Sequence, residues 1–173
     1  MLVHQLIQRD DGTLSVTIPK SINDTFKPIK SCSHTLENTE GRVVLPVFKH
    51  EDICRIDAKI SFAKGTRQFG IILNHNPETD QGYQYSFYPD KNIIEFDHVS
   101  TLINNNGLTR PVSFDNIINI TIIIDKDICT AYINNDVALT SRMCNKQGDC
   151  ISLFVSDGKA DFTDVSICNL KNE

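Results

Sequence analysis

The sequence predicts an all-β protein, a two-sheet antiparallel β-sandwich. Three observations predict it. Apolar and polar residues alternate with period two through most of the 173 residues. Clusters of Gly, Asn, Asp and Pro punctuate the alternating runs at short intervals, as turns between strands do. No segment holds apolar residues at i, i+3, i+4 and i+7 across three helical turns.

Taken in order, Leu2 to Ile7 and Thr13 to Ile18 flank Asp11-Gly12 and form a first hairpin. The stretch PKSINDTFKPIKSCS, Pro19 to Ser33, breaks the rhythm with Pro19 and Pro28 and reads as a connector to the sandwich proper. Strands then follow at Arg42 to Phe48, Ile53 to Phe62, Gln68 to Leu73, Tyr83 to Tyr88, Ile93 to His98, Ile117 to Asp125, Ile128 to Asn134, Val137 to Met143, Ile151 to Val155 and Ala160 to Cys168. Turn signals stand between them at Lys64-Gly65-Thr66, Pro89-Asp90-Lys91-Asn92, Asn105-Asn106-Gly107 and Ser156-Asp157-Gly158. About a dozen strands exceed the seven of an immunoglobulin-type domain and point to the larger jelly-roll or lectin-like sandwiches, of which the concanavalin A-like fold is one. Four propeller blades would leave almost no residues for turns at this length, and no internal repeat is present. Residues 1–20 read as a strand pair separate from the sandwich of residues 21–173.

Composition excludes some functions. With 40% hydrophobic and 23% charged residues and a net charge of -5, the chain is a soluble globular type. It lacks the Lys and Arg clusters that a phosphate backbone requires, so no nucleic-acid partner is expected. No apolar run approaches the ~20 residues that cross a bilayer, and MLVHQLIQRDD has neither a basic nor a long apolar leader region, so no membrane partner is expected. The six cysteines form no C-x-x-C pair; Cys54, Cys129 and Cys168 lie in strand-like runs as small buried hydrophobes, and reduced thiols are expected, with a Cys144–Cys150 disulfide as the rival. Taken at face value, these features favour a cytoplasmic protein.

Two groups of residues are candidates for chemistry. The loop Asn74 to Gly82 leads into an aromatic strand, so that His75, Asp80, Gln81, Tyr83, Tyr85 and Tyr88 combine hydrogen-bonding groups with rings suited to the C–H face of a sugar. The competing reading puts Tyr83, Tyr85 and Phe87 on one sheet face as core. The tip Asn134-Asn135-Asp136 reads first as a turn, because Asn and Asp tolerate positive φ. His4, His34, His50, His75 and His98 are scattered without metal-ligand spacing, so no metal or cofactor is expected; a calcium site using Asp80, Asp90 or Asp157 is the alternative. Asn23-Asp24-Thr25 and Asn119-Ile120-Thr121 match a glycosylation acceptor, the second within a strand.

The segment from residue 110 to 170 resembles the C-terminal β-sandwich module of glycoside hydrolase family 32, the invertase, levanase and sucrose-6-phosphate hydrolase family. The resemblance is carried by Phe114-Asp115, Ile124-Asp125, Tyr132-Ile133-Asn134 and Thr140-Ser141-Arg142. The opening, Leu2-Val3-His4-Gln5-Leu6 with Asp11-Gly12-Thr13-Leu14 and Pro19, is similar to the linker by which such enzymes leave their catalytic propeller. The resemblance singles out Asp125, Asn134, Asp136 and Arg142 as interface or structural residues. It implies a catalytic propeller of the same parent protein as partner, with a fructan or sucrose-type carbohydrate and a homodimer as further expectations, and it makes Met1 a doubtful natural start. The family's catalytic motifs are not in this sequence: it has no Trp, no Arg-Asp-Pro and no Glu-Cys. A retaining glycosidase needs two carboxyl groups about 5 Å apart, and no motif here supplies that pair. The resemblance therefore implies a module with no catalytic residues of its own, expected to be inactive when isolated from a parent β-fructofuranosidase; the alternative is a free-standing carbohydrate-binding, lectin-like module.

Overall fold

The computed structural model describes residues 3–37, 41–45, 53–99 and 107–171. Among the described residues, fourteen strands and one short helix follow one another: β1 (Gln5–Gln8), β2 (Leu14–Thr17), α1 (Lys20–Asn23), β3 (Phe26–Glu37), β4 (Gly41–Val44), β5 (Ile53–Phe62), β6 (Gln68–Asn76), β7 (Gln81–Tyr88), β8 (Ile93–His98), β9 (Leu108–Pro111), β10 (Ile117–Asp125), β11 (Ile128–Ile133), β12 (Val137–Arg142), β13 (Cys150–Ser156) and β14 (Lys159–Leu170). They form two six-stranded sheets, β12-β11-β10-β5-β14-β3 (the first) and β4-β13-β6-β7-β8-β9 (the second), and the separate β1-β2 pair. Every pairing is antiparallel. The two sheets face each other as a sandwich.

Period-two alternation decides which residues fill the space between them. From the first sheet come Ile56, Ala58 and Ile60 of β5, Ile118, Ile120, Ile122 and Ile124 of β10, and Phe162 of β14; from the second come Phe69, Ile71 and Leu73 of β6, Tyr83, Tyr85 and Phe87 of β7, and Leu153 and Val155 of β13. β-branched and aromatic side chains suit a pleated, half-buried surface, which is why these runs are strands. A second apolar cluster lies on the far side of the first sheet. There Phe26, Ile123, Tyr132 and Cys168 are covered by Val16, Ile18 and Ile22 from the N-terminal segment.

Two expectations are corrected. The segment read as a connector contains β3, a 12-residue strand paired with β14. Its position at the sheet edge explains the misreading: only one flank needs backbone partners, so Pro28 is tolerated, and it sits where the register with β14 shifts between Ile167 and Cys168. The edge strand β9 was missed for a related reason, since its four residues are all exposed and show no alternation. The expected ends of the Arg42 strand beyond residue 45, Leu2, His50 and the Asn105-Asn106 turn lie outside the described residues. None of the six cysteines forms a disulfide; Cys54, Cys129, Cys150 and Cys168 are buried and Cys144 is exposed, so Cys144 and Cys150 are not bridged.

Candidate functional site

Alternation that sends Phe69, Ile71 and Leu73 inward sends Gln68, Gly70 and Ile72 to the outer face of the second sheet. Register then builds rows across that face. Arg42, Phe154, Gly70, Ser86 and Glu95 stand side by side on β4, β13, β6, β7 and β8. The adjacent row is Ser152, Ile72, Gln84 and Asp97. Gly70 has a packing reason: a Cβ there would lie 1.9 Å from the Tyr85 carbonyl oxygen and 2.8 Å from the Phe154 ring. The missing side chain leaves room for the Phe154 ring beside Gly70.

Above this ring is a cleft of about 450 Å³ lined by Arg42, Gln68, Asp80, Gln84, Phe154 and Ser156. Arg42 and Asp80 form an ion pair at its edge. Behind Asp80 stands His75, whose ring is 1% exposed; its Nδ1 is 2.7 Å from Ser152 Oγ and its Nε2 is 3.2 Å from Asp80 Oδ1. With the Ser152 hydroxyl donating to Nδ1, the ring proton sits on Nε2 and is donated to Asp80. Burial holds the His75 imidazole below its ordinary range, outweighing the hydrogen bond to Asp80 that raises it. Burial would raise the Asp80 carboxyl, but the His75 hydrogen bond and the Arg42 guanidinium together hold it below the usual carboxylate value. Although Ser, His and Asp are in line, Ser152 is fully buried and its hydroxyl is committed to the ring. The trio is a strut that orients a carboxylate, not a nucleophile.

On the same face, the Gln68 amide nitrogen donates to Ser86 Oγ at 3.2 Å and to the Tyr88 hydroxyl at 2.9 Å. Lys91 lies over the Tyr88 ring, 4.8 Å from its centroid. The Tyr88 phenol is pushed up to about 12 by burial and by the Glu95 carboxylate, and is therefore protonated at neutral pH.

The sequence-predicted sugar residues divide between the two sides of this sheet. Asp80 lines the cleft, His75 braces it, and Tyr88 borders it; Gln81 is exposed at the start of β7, paired with Asn76. Tyr83 and Tyr85 face the sandwich interior at 1% and 0% exposure, so neither ring offers a platform to a ligand. Their hydroxyls are satisfied internally: Tyr83 donates to Asn145 O and accepts from Asn145 N, and Tyr85 donates to Leu139 O. Arg42, Gln68, Gln84 and Phe154 were not singled out from sequence, because no motif marks them; the only available signal was their alternation with core residues. Among the described residues no cluster of three or more His, Cys, Asp or Glu is placed to hold a metal.

The four residues of the family motif do not converge either. Asn134 and Asn135 have φ of 52° and 50°, and Asp136 N donates to Ile133 O at 2.9 Å, so the tip is a two-residue left-handed turn. Arg142 and Asp125 lie at the other end of the same strands, where Arg142 Nε donates to Asp127 at 2.6 Å. The turn has a second task that the sequence did not reveal. Arg9 donates to Asp136 at 2.5 Å, Thr17 Oγ1 to Asn135 Oδ1 at 3.1 Å, and Val16 N to Asp136 O at 3.2 Å, while His4 Nδ1 lies 3.0 Å from the Tyr132 hydroxyl. These contacts moor the β1-β2 hairpin on the first sheet. The hairpin nonetheless leaves Val3, Leu6, Ile7 and Leu14 about half exposed, at 58%, 60%, 46% and 56%.

The sequence family described as "Glycosyl hydrolases family 32 C terminal" matches residues 13–169. No curated protein sequence matches. Among solved structures, exo-inulinase from Aspergillus awamori superposes with a TM-score of 0.71 at 16% identity, over 98% of this chain and 35% of that one. A fructofuranosidase from Schwanniomyces occidentalis, complexed with fructose, gives 0.66 at 14%, over 98% and 40%. The carbohydrate binding module CBM66 from Bacillus subtilis gives 0.65 at 9%, over 84% and 96%. The chain thus spans about a third of the length of the inulinase and two fifths of the fructofuranosidase, and nearly all of the binding module. With a match that takes in β2 through β14, the chain belongs to the family of glycoside hydrolase family 32 C-terminal domains, and its fold is that family's β-sandwich.

Proposed function

We propose that the chain is the non-catalytic β-sandwich module of a fructosidase-like glycoside hydrolase, packing against and stabilising a catalytic β-propeller of the same parent protein. The observation that carries this reading is the exposed apolar side chains of the hairpin that opens the chain, with Leu6 and Leu14 on one face by register and Val3 and Ile7 about half exposed nearby. Grouped apolar exposure is a feature of surfaces that are covered in the complete protein. Burying four half-exposed aliphatic side chains is worth on the order of 1 kcal/mol each, enough to hold two domains together once they are already tethered. The similar solved enzymes are longer than this chain by a further domain's worth of residues, which supports a partner domain in the same protein. The test is a Leu6→Ser, Leu14→Ser double variant of the full-length parent enzyme. Its thermal inactivation is expected to accelerate while the same substitutions leave the melting temperature of this chain alone unchanged; equal inactivation rates for parent and variant would sink the proposal. The isolated chain is expected to hydrolyse neither sucrose nor inulin.

A second reading, a free-standing carbohydrate-binding module, is favoured by the cleft between Arg42, Asp80 and Gln84 and by the likeness to a binding module of similar length. The two readings use opposite outer faces of the sandwich and so do not compete for the same residues.

A further inference from the structure

We infer that the cleft over Phe154 is a recognition site for uncharged saccharides, with the Arg42–Asp80 pair and the Gln84 amide as its hydroxyl-binding groups. This rests on the carbohydrate-binding reading and goes beyond it by naming the site and the class of sugar. A saccharide presents hydroxyls that both donate and accept, and an apolar C–H face. Arg42 supplies donors and Asp80 acceptors at one edge of the cleft, and Gln84 supplies both from β7. Gln68 spends its amide hydrogens on Ser86 and Tyr88, which leaves its carbonyl oxygen as a further acceptor. Phe154, 6% exposed, contributes only a small apolar part of the floor, its ring packed against Gly70, where an added Cβ would lie 2.8 Å from it. The carboxylate is held in advance, since the buried Ser152–His75 strut fixes Asp80 before any ligand arrives.

Charge selects the class. A phosphorylated or otherwise anionic sugar needs an uncommitted cation or a cradle of backbone N–H groups. On the described part of this face both cations are engaged, Arg42 by Asp80 and Lys91 by the Tyr88 ring. Three carboxylates, Asp80, Glu95 and Asp97, lie on β8 and around the cleft. An anion would enter against them, whereas a neutral sugar can bridge the pair.

The test is calorimetric titration of the chain with fructose, sucrose, inulin, levan and sucrose 6-phosphate. Asp80→Asn, Arg42→Gln and Gln84→Ala variants are run beside Arg142→Ala, which alters the distant Asp127 pair and serves as control. All four side chains lie at the surface or half-buried, so melting temperatures should move little. The expected result is saturable binding of at least one neutral saccharide, with sucrose 6-phosphate weaker. Each cleft variant should lose roughly tenfold or more in affinity, the loss that follows removal of one hydrogen bond to a charged group, and the control should lose none. Binding that survives all three cleft variants would overturn the site while leaving the carbohydrate reading standing. Equal or tighter binding of the phosphate would overturn the class, and no binding of any of the five would overturn both this inference and the reading beneath it.

Discussion

Replacing Tyr85 by phenylalanine separates a core residue from a ligand platform, because the two roles predict opposite outcomes. The side chain is fully buried, and its hydroxyl donates to Leu139 O at 3.1 Å, with Cys129 O at 3.3 Å. Burial pushes the phenol well above its ordinary value, so it is a donor at neutral pH. Removing the hydroxyl while keeping the ring deletes about one net hydrogen bond, about 1 kcal/mol. For a domain of this size that is roughly 2–4 °C in melting temperature. Tyr85→Ala removes the ring as well, and with it the contact to Phe96 at 4.8 Å between centroids. Emptying an aromatic site in a packed core costs about 3–5 kcal/mol, or roughly 10 °C or more. Scanning calorimetry of the three proteins, paired with saccharide titration of the phenylalanine variant, reads both quantities. The phenylalanine variant should melt a few degrees low and bind saccharide as the parent does. A variant that melts normally but loses binding would refute the placement of this ring in the core.

Gly70→Ala should be more damaging than its size suggests, on the order of 3 kcal/mol, because the new methyl meets the Tyr85 backbone oxygen rather than a movable side chain; denaturant unfolding measures it. Stability should fall as pH drops below about 6.5, since the unfolded chain protonates His75 at its ordinary value while the folded imidazole, depressed by burial, resists; the contribution is complete above 6.5 and lost as pH falls through the folded value. His75→Gln should flatten this first part of the acid limb, leaving only the lower one that begins near 3.8, where Asp80 and other carboxylates with lowered values are protonated; chemical denaturation across pH distinguishes the two. Arg9→Ala removes an exposed ion pair worth less than about 1 kcal/mol, so the melting temperature should shift by no more than roughly 3 °C, yet amide exchange across β1 and β2 should quicken as one mooring is released.

The architecture was legible where a strand buries one face. β5, β8 and β10 fall on the ranges read from the sequence because buried residues alternate with polar ones: Arg55 and Asp57 flank Ile56, Glu95 and Asp97 flank Phe96, and Asn119 and Thr121 flank Ile120. The two strands that escaped, β3 and β9, are edge strands, which need neither an alternating buried face nor a full set of N–H groups. The candidate site was legible only in part. Asp80 and Tyr88 could be named from a polar loop and an aromatic run, but β7 carries tyrosines on both of its faces, and composition does not say which of them turn outward. Arg42 and Phe154 are neighbours through the pairing of β4 with β13, a contact between residues more than a hundred positions apart that no local pattern encodes. The Asn134-Asn135 turn was readable as a turn, while its grip on Arg9 and Thr17 depended on where the hairpin comes to rest.

The hairpin rests on one outer face of the sandwich and the cleft opens on the other, with two sheets and a close-packed core between them. Facing sheets lie about 10 Å apart, beyond the range at which substitutions that share no contact influence one another. Free-energy changes from altering Leu6 and from altering Asp80 should therefore simply add, with a coupling term near zero. A parent enzyme built on this module could vary the strength of its domain contact and its hold on a sugar as independent quantities, so selection on one would not drag the other with it.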